Sequence, residues 1–156
     1  YFRGTSAHNT VRVDRVDQSI SGGNFMWLNK AKASCEQWTS TPDFDYFVGS
    51  HDGYLRLDGP VLHRRSIEYN KQRREFIITD RLESKKHHQI EWFWHLSEHC
   101  TFDVTGNEYA ITNQGVRIVL VIENPLVKHA VSFGNESNLL GWVSRSYDNK
   151  VATNTR

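Results

Sequence analysis

Short runs in which apolar and polar residues alternate recur along nearly the whole chain. Asn9–Asp14 reads NTVRVD, with Val11 and Val13 on one side and Arg12 on the other, the period of two expected of a half-buried strand. Ala31–Thr39 and Gln89–Leu96 alternate in the same way; Tyr46–Ser50, Tyr54–Leu57, Cys100–Val104, Glu108–Thr112, Val127–Phe133 and Gly141–Tyr147 are further expected strands, and Asn24–Leu28 reads as a short aromatic strand. Val61–Tyr69 (VLHRRSIEY) and Glu75–Asp80 (EFIITD) form a predicted hairpin joined by the polar segment Asn70–Arg74. The run Ile118–Ile122 is too short and too β-branched for a helix, and is expected to be a central strand. Between these runs lie turn clusters: Ser21-Gly22-Gly23-Asn24, His51-Asp52-Gly53, Asp58-Gly59-Pro60, Thr105-Gly106-Asn107 and Asn113-Gln114-Gly115. About a dozen short strands with a turn every ~8–12 residues predict an all-β fold, an antiparallel β-sandwich. The expected domain covers residues 1–147. Residues 148–156 lose the apolar period and read as a truncated tail or linker.

Composition narrows the picture. A chain of 156 residues is of ordinary single-domain size, and five Trp, six Tyr and eight Phe are too many aromatics for a disordered chain. Nineteen Lys and Arg against eighteen Asp and Glu give a net charge of +1, which argues against a dedicated nucleic-acid binder. No apolar stretch reaches the ~18 residues of a membrane span. One local excess stands out: Arg64–Lys86 holds eight basic residues against four acidic ones, either a solvated hairpin face or a surface attracting an acidic ligand. Cys35 and Cys100 fit a disulfide in an exported protein or two buried thiols equally well. The opening Tyr1-Phe2-Arg3-Gly4 reads like the middle of a protein, with any targeting signal elsewhere.

Eight histidines supply most of the candidate chemistry. His8 has the best setting. It lies in Thr5-Ser6-Ala7-His8-Asn9-Thr10, where small neighbours leave room for a ligand and the loop leads straight into a strand; Asn9 beside it can donate or accept hydrogen bonds. His51 sits in Ser50-His51-Asp52-Gly53-Tyr54, a hairpin corner or a loop that presents a His–Tyr pair. In the strand that follows, alternation puts His63 and Arg65 on one face and Arg64 on the other. His87, His88, His95 and His99 read as hairpin and strand-edge residues. The tryptophans at period two in QIEWFWHL read as core, although ring faces also stack on sugars. No Gly-rich phosphate loop, CxxC pair or HExxH helix is present.

The block YFRGTSAHNTVRVD, then Asp17-Gln18, GGNFMWL, SHDGYLRL and PVLHRRSIEY in this order resembles the C-terminal β-sheet region of heparinase II/III-like polysaccharide lyases, over nearly all of the chain. The resemblance implies a parent with an N-terminal α/α toroid that this chain lacks. It implies cleavage of an acidic, uronic-acid-containing polysaccharide or oligosaccharide by β-elimination, in the periplasm or outside the cell, and no nucleic-acid or membrane partner. His8 matches the catalytic histidine that reaches the cleft from the sheet domain, with Asn9 next to it. Arg3, His51, Tyr54 and Arg64 are candidate substrate contacts, the arginines because a guanidinium fork suits carboxylates. Several relatives hold a structural zinc here. His63 resembles one of its ligands, but the position two after the catalytic histidine is Thr10, a poor zinc ligand, so no cofactor is expected. The alternative is a non-catalytic carbohydrate-binding or scaffolding β-sandwich.

Overall fold

The computed structural model describes residues 1–124, 126–146 and 149–155, and among these every extended pairing between strands is antiparallel and no α-helix occurs. The fold class is all-β, as the alternation implies. Packing divides the chain into two compact units, Val11–Glu91 and Tyr1–Thr10 with Trp92–Arg156.

The first unit is built on β1 (Val11–Val13), β2 (Ile20–Ser21), β3 (Trp27–Asn29), β4 (Ala33–Ser40), β5 (Phe44–His51), β6 (Leu62–Asn70), β7 (Glu75–Glu83) and β8 (Ile90–Trp92), the strand along which the chain leaves the unit. β4 to β7 form a four-stranded meander in sequence order. The β6–β7 hairpin closes through residues 71–74, where the Asn70 side chain accepts from the Gln72 and Arg73 amides and Arg74 takes a left-handed φ of 53°. Across β5 and β6, His51 faces His63 and Gly49 faces Arg65; across β6 and β7, Arg65 faces Asp80. The β4–β5 register shifts between Cys35 and Gln37, a bulge that sets Glu36 apart from the ladder.

Tyr54–Leu57 is not the expected strand. The segment is a run of turns, with the Leu55 amide donating to Asp52 O and the Leu57 and Val61 amides both donating to Tyr54 O. Burial explains the departure. Tyr54 is wholly buried, as are Val11, Val13 and Val61, and its hydroxyl donates to the Val11 carbonyl at 2.9 Å. A ring committed in that way cannot stand on a pleated surface. Gly53 is required here, because a Cβ would lie 2.6 Å from the Gln18 carbonyl.

In the second unit, β9 (Thr101–Thr105), β10 (Glu108–Asn113) and β11 (Val116–Val121) form a meander with β10 in the middle. Tyr109 and Ile111 of β10, with Ile122, make its core, and Trp92, Leu96, Cys100, Phe102 and Leu120 pack against them. The Ile118–Ile122 run is therefore an edge strand and not a central one, with Ile118 57% and Val119 48% exposed. Cys35 is exposed, Cys100 half-buried, and both are free thiols.

The C-terminal residues are paired as well. β14 (Val151–Ala152) pairs with β13 (Trp142–Val143), and β15 (Asn154–Thr155) pairs with β12 (Ser132–Phe133). Thr153 and Thr155 are buried. Their burial rests on hydroxyls, which bond to Leu96 O and the Gly141 amide, so the segment carries no apolar period to be read. Gly141, at φ 80°, lets three strands meet, since a Cβ there would lie 2.5–2.8 Å from the backbone of Gly134, Ser132 and Thr153. Tyr147 and Asp148, where the expected domain ends and its tail begins, lie outside the described residues.

Replacing Tyr54 with Phe leaves the buried Val11 carbonyl without this donor. We expect a loss of about 1–3 kcal/mol, read as a lower urea midpoint at unchanged slope.

Candidate functional site

The sheet register lines up four polar side chains in the first unit. The Gly53 amide donates to His51 Nδ1 at 3.2 Å, so His51 carries its proton on Nε2. That proton faces His63 Nδ1 at 2.9 Å, which places the His63 proton on Nε2, 2.6 Å from Asp80 Oδ1. Arg65 closes the row with a fork, Nε to Asp80 Oδ1 at 2.7 Å and Nη2 to Oδ2 at 2.8 Å. One direction of donation thus runs from a backbone amide through two imidazoles to a carboxylate. Burial holds His51 neutral and lowers its pKa to about 4, with His63 adding to the shift. For Asp80, desolvation pushes the pKa up, but the bonds from His63 and Arg65 outweigh it and hold the carboxyl below its ordinary value.

In the second unit, His8 ends a single 3-10 turn, Thr5–Ala7. The Ala7 amide donates to Gly4 O and the His8 amide to Thr5 O, while His8 O accepts from the Thr10 amide. Thr5 is buried, whereas His8 and Asn9 are exposed. The segment after β8 runs beside this turn. The Phe93 amide donates to Thr10 O, the His95 amide to Asn9 Oδ1 at 2.7 Å, and His95 Nε2 to the Ser6 carbonyl at 2.9 Å. Arg3 lies half-buried in the same N-terminal segment.

The candidate residues therefore fall into different situations. His8 keeps an imidazole open to solvent. Asn9 spends its side-chain oxygen on the His95 amide. His51 has both ring nitrogens engaged within the protein, and Tyr54, expected as a substrate contact, is core. Arg64 points to the face opposite His63 and Arg65, as alternation requires, and lies between Glu36 and Glu83 at 2.7 and 3.0 Å; Glu36 above all raises its pKa. Six of the eight basic residues of Arg64–Lys86 have an acidic partner within 3.0 Å, which favours the solvated-face reading of that stretch. Two contacts do not stand out in the sequence. Asp80 was within reach, since counting outward from the 70–75 turn puts it across from Arg65. His95 was not, since its partners Ser6 and Thr155 lie 89 and 60 residues away.

The positions that the resemblance gives to zinc do not fit that ion. Thr10 offers a hydroxyl, and both ring nitrogens of His63 are committed, to His51 and to Asp80. Among the described residues no group of three His, Cys, Asp or Glu is arranged to hold a metal ion.

Compared with known proteins, residues 1–155 match the family model described as heparinase II/III-like, C-terminal. No curated protein matches, and no solved structure does.

Two outcomes follow from the geometry. Between pH about 6.5 and about 4 the unfolded chain protonates His51 and the folded chain does not, so stability falls as pH drops through that window. His51→Gln should flatten this slope in urea titrations at a series of pH values, leaving the part due to His95, whose pKa burial also lowers. Elemental analysis of the purified protein should find zinc well below one per chain; a stoichiometric ion would contradict the fit argued above.

Proposed function

The chain belongs to the heparinase II/III-like family, as its C-terminal region, and on that premise we propose that it forms one wall of a polysaccharide lyase cleft. The substrate is a uronic-acid-containing glycan, and the reaction is β-elimination. A base removes the C5 proton, the electron pair forms the C4–C5 double bond, the bond from C4 to the linking oxygen breaks, and an acid protonates the leaving oxygen. His8 is the group this chain contributes to proton transfer. An imidazole can both accept a proton and give it up. The observation that supports this reading is the combination of an exposed His8 ring with a backbone tied down on both sides, since catalysis needs a group that is both accessible and held in place.

Neutralising the uronate carboxylate and protonating the leaving oxygen fall to groups outside this chain, on an N-terminal α/α toroid. The 156-residue chain alone should accordingly release no unsaturated product from a polyuronate. A less sulfated polymer suits the charge balance, because the basic residues of Arg64–Lys86 are largely paired. An exported, periplasmic or extracellular setting fits a polymer substrate, and no helix among the described residues is long and apolar enough to cross a membrane.

One observation favours the non-catalytic reading. Trp38, Phe47, Ile67 and Ile78 stand in one cross-strand row of β4–β7, with Tyr69 and Phe76 stacked on the same face at 4.2 Å. Trp38 and Phe76 are 65% and 62% exposed. Such a platform can stack on pyranose rings.

The two readings separate by mutation in the intact protein. His8→Ala should abolish the absorbance of the unsaturated product while affinity for the polymer is retained; unchanged turnover removes His8 from the site. Under the binding-module reading, Trp38→Ala instead weakens polymer binding about tenfold or more and no turnover exists to lose.

A further inference from the structure

We propose that His95 is a positioning residue for His8, acting through a single enforced tautomer. This rests on the assignment of proton transfer to His8 and adds a residue to it. His95 brackets His8 in sequence. Its ring holds the carbonyl of Ser6, two residues before His8, and its backbone amide holds the side chain of Asn9, one residue after.

The tautomer follows from the partners. The Ser6 carbonyl only accepts, so His95 Nε2 must carry the proton. His95 Nδ1 then accepts from the Thr155 hydroxyl at 2.7 Å. Thr155 is buried, 2% exposed, and its oxygen in turn accepts from the Gly141 amide at 3.1 Å. With His95 Nδ1 unprotonated, the hydroxyl proton is directed at the imidazole. A backbone bridge between His95 and Thr155, and the bond from the Leu96 amide to Asn154 O, keep the two segments in step. The strand that carries Thr155 thus reinforces the proton position that the Ser6 carbonyl selects on His95, and that proton holds the His8 turn. In the other tautomer Nε2 would present a lone pair to the Ser6 carbonyl, and the turn would lose its tie.

Loss of this tie leaves the substrate-binding surface in place and misplaces one reacting group, so the effect belongs in kcat and not in KM. Nitrogen-15 spectra of the histidine-labelled chain should show His95 as the Nε2–H tautomer. In the intact lyase, His95→Phe should lower kcat roughly 10- to 100-fold with KM changed less than about twofold, and His95→Gln, whose amide can still reach Ser6 O, should recover most of that loss. Thr155→Val, which keeps the shape and removes only the hydroxyl, should mix the His95 tautomers and lower kcat in the same sense; it decides the matter if His95→Phe does not fold. An Nδ1–H tautomer in the unaltered chain overturns the proposal. So does a kcat unaffected by both His95→Phe and Thr155→Val in a protein that His8→Ala inactivates. If His8→Ala leaves turnover intact, the lyase assignment fails instead, and the tautomer, with the ordering of the His8 ring signals in Thr155→Val, still decides whether the tie exists.

Discussion

A histidine that moves protons must be held still while its ring stays open, and these demands conflict. The usual way to immobilise an imidazole is to occupy its nitrogens, which is what happens to His51 and His63. Each has a partner at both ring positions, and the row ends on a carboxylate that Arg65 clamps. Such a row fixes a loop to a sheet and leaves no lone pair for a ligand. His8 is treated in the opposite way. Its neighbours are tied and its ring is left exposed. This division of labour is the physical basis for proposing His8 as the reacting group and the other two as scaffold.

Much of the scaffold was legible before the structure. Period-two alternation placed the strands of the meander to within a few residues and put His63 and Arg65 on one face with Arg64 on the other. Failures came where a tertiary partner overrode the local pattern. Tyr54–Leu57 follows a turn signal as a strand would, but the Tyr54 hydroxyl has a buried carbonyl to satisfy, and the chain folds into turns around it. Val116–Val121 is apolar enough for a core, yet it lies at a sheet edge. Residues 151–155 lack apolar residues at period two because threonine hydroxyls are buried there on specific acceptors, a pattern that hydropathy does not register.

The candidate site could be read only in a narrower sense. His8 and Asn9 stood out because small residues surround them. The basic run Arg64–Lys86 suggested an anionic ligand, but six of its eight basic residues are paired with carboxylates. Asp80 could be placed from the hairpin turn. His95 could not, because nothing local distinguishes it from a strand-edge histidine; its importance arises only when segments 60 and 89 residues distant arrive beside it.

The central claim is that a uronate meets this chain at His8. Its most direct test is a titration of the nitrogen-15 histidine-labelled chain with an unsulfated polyuronate, followed through the side-chain resonances. The account predicts that the His8 ring signals shift in a saturable manner while those of His51 and His63 stay in place. Shifts centred on the His51–His63 row, with His8 unmoved at saturation, would contradict it.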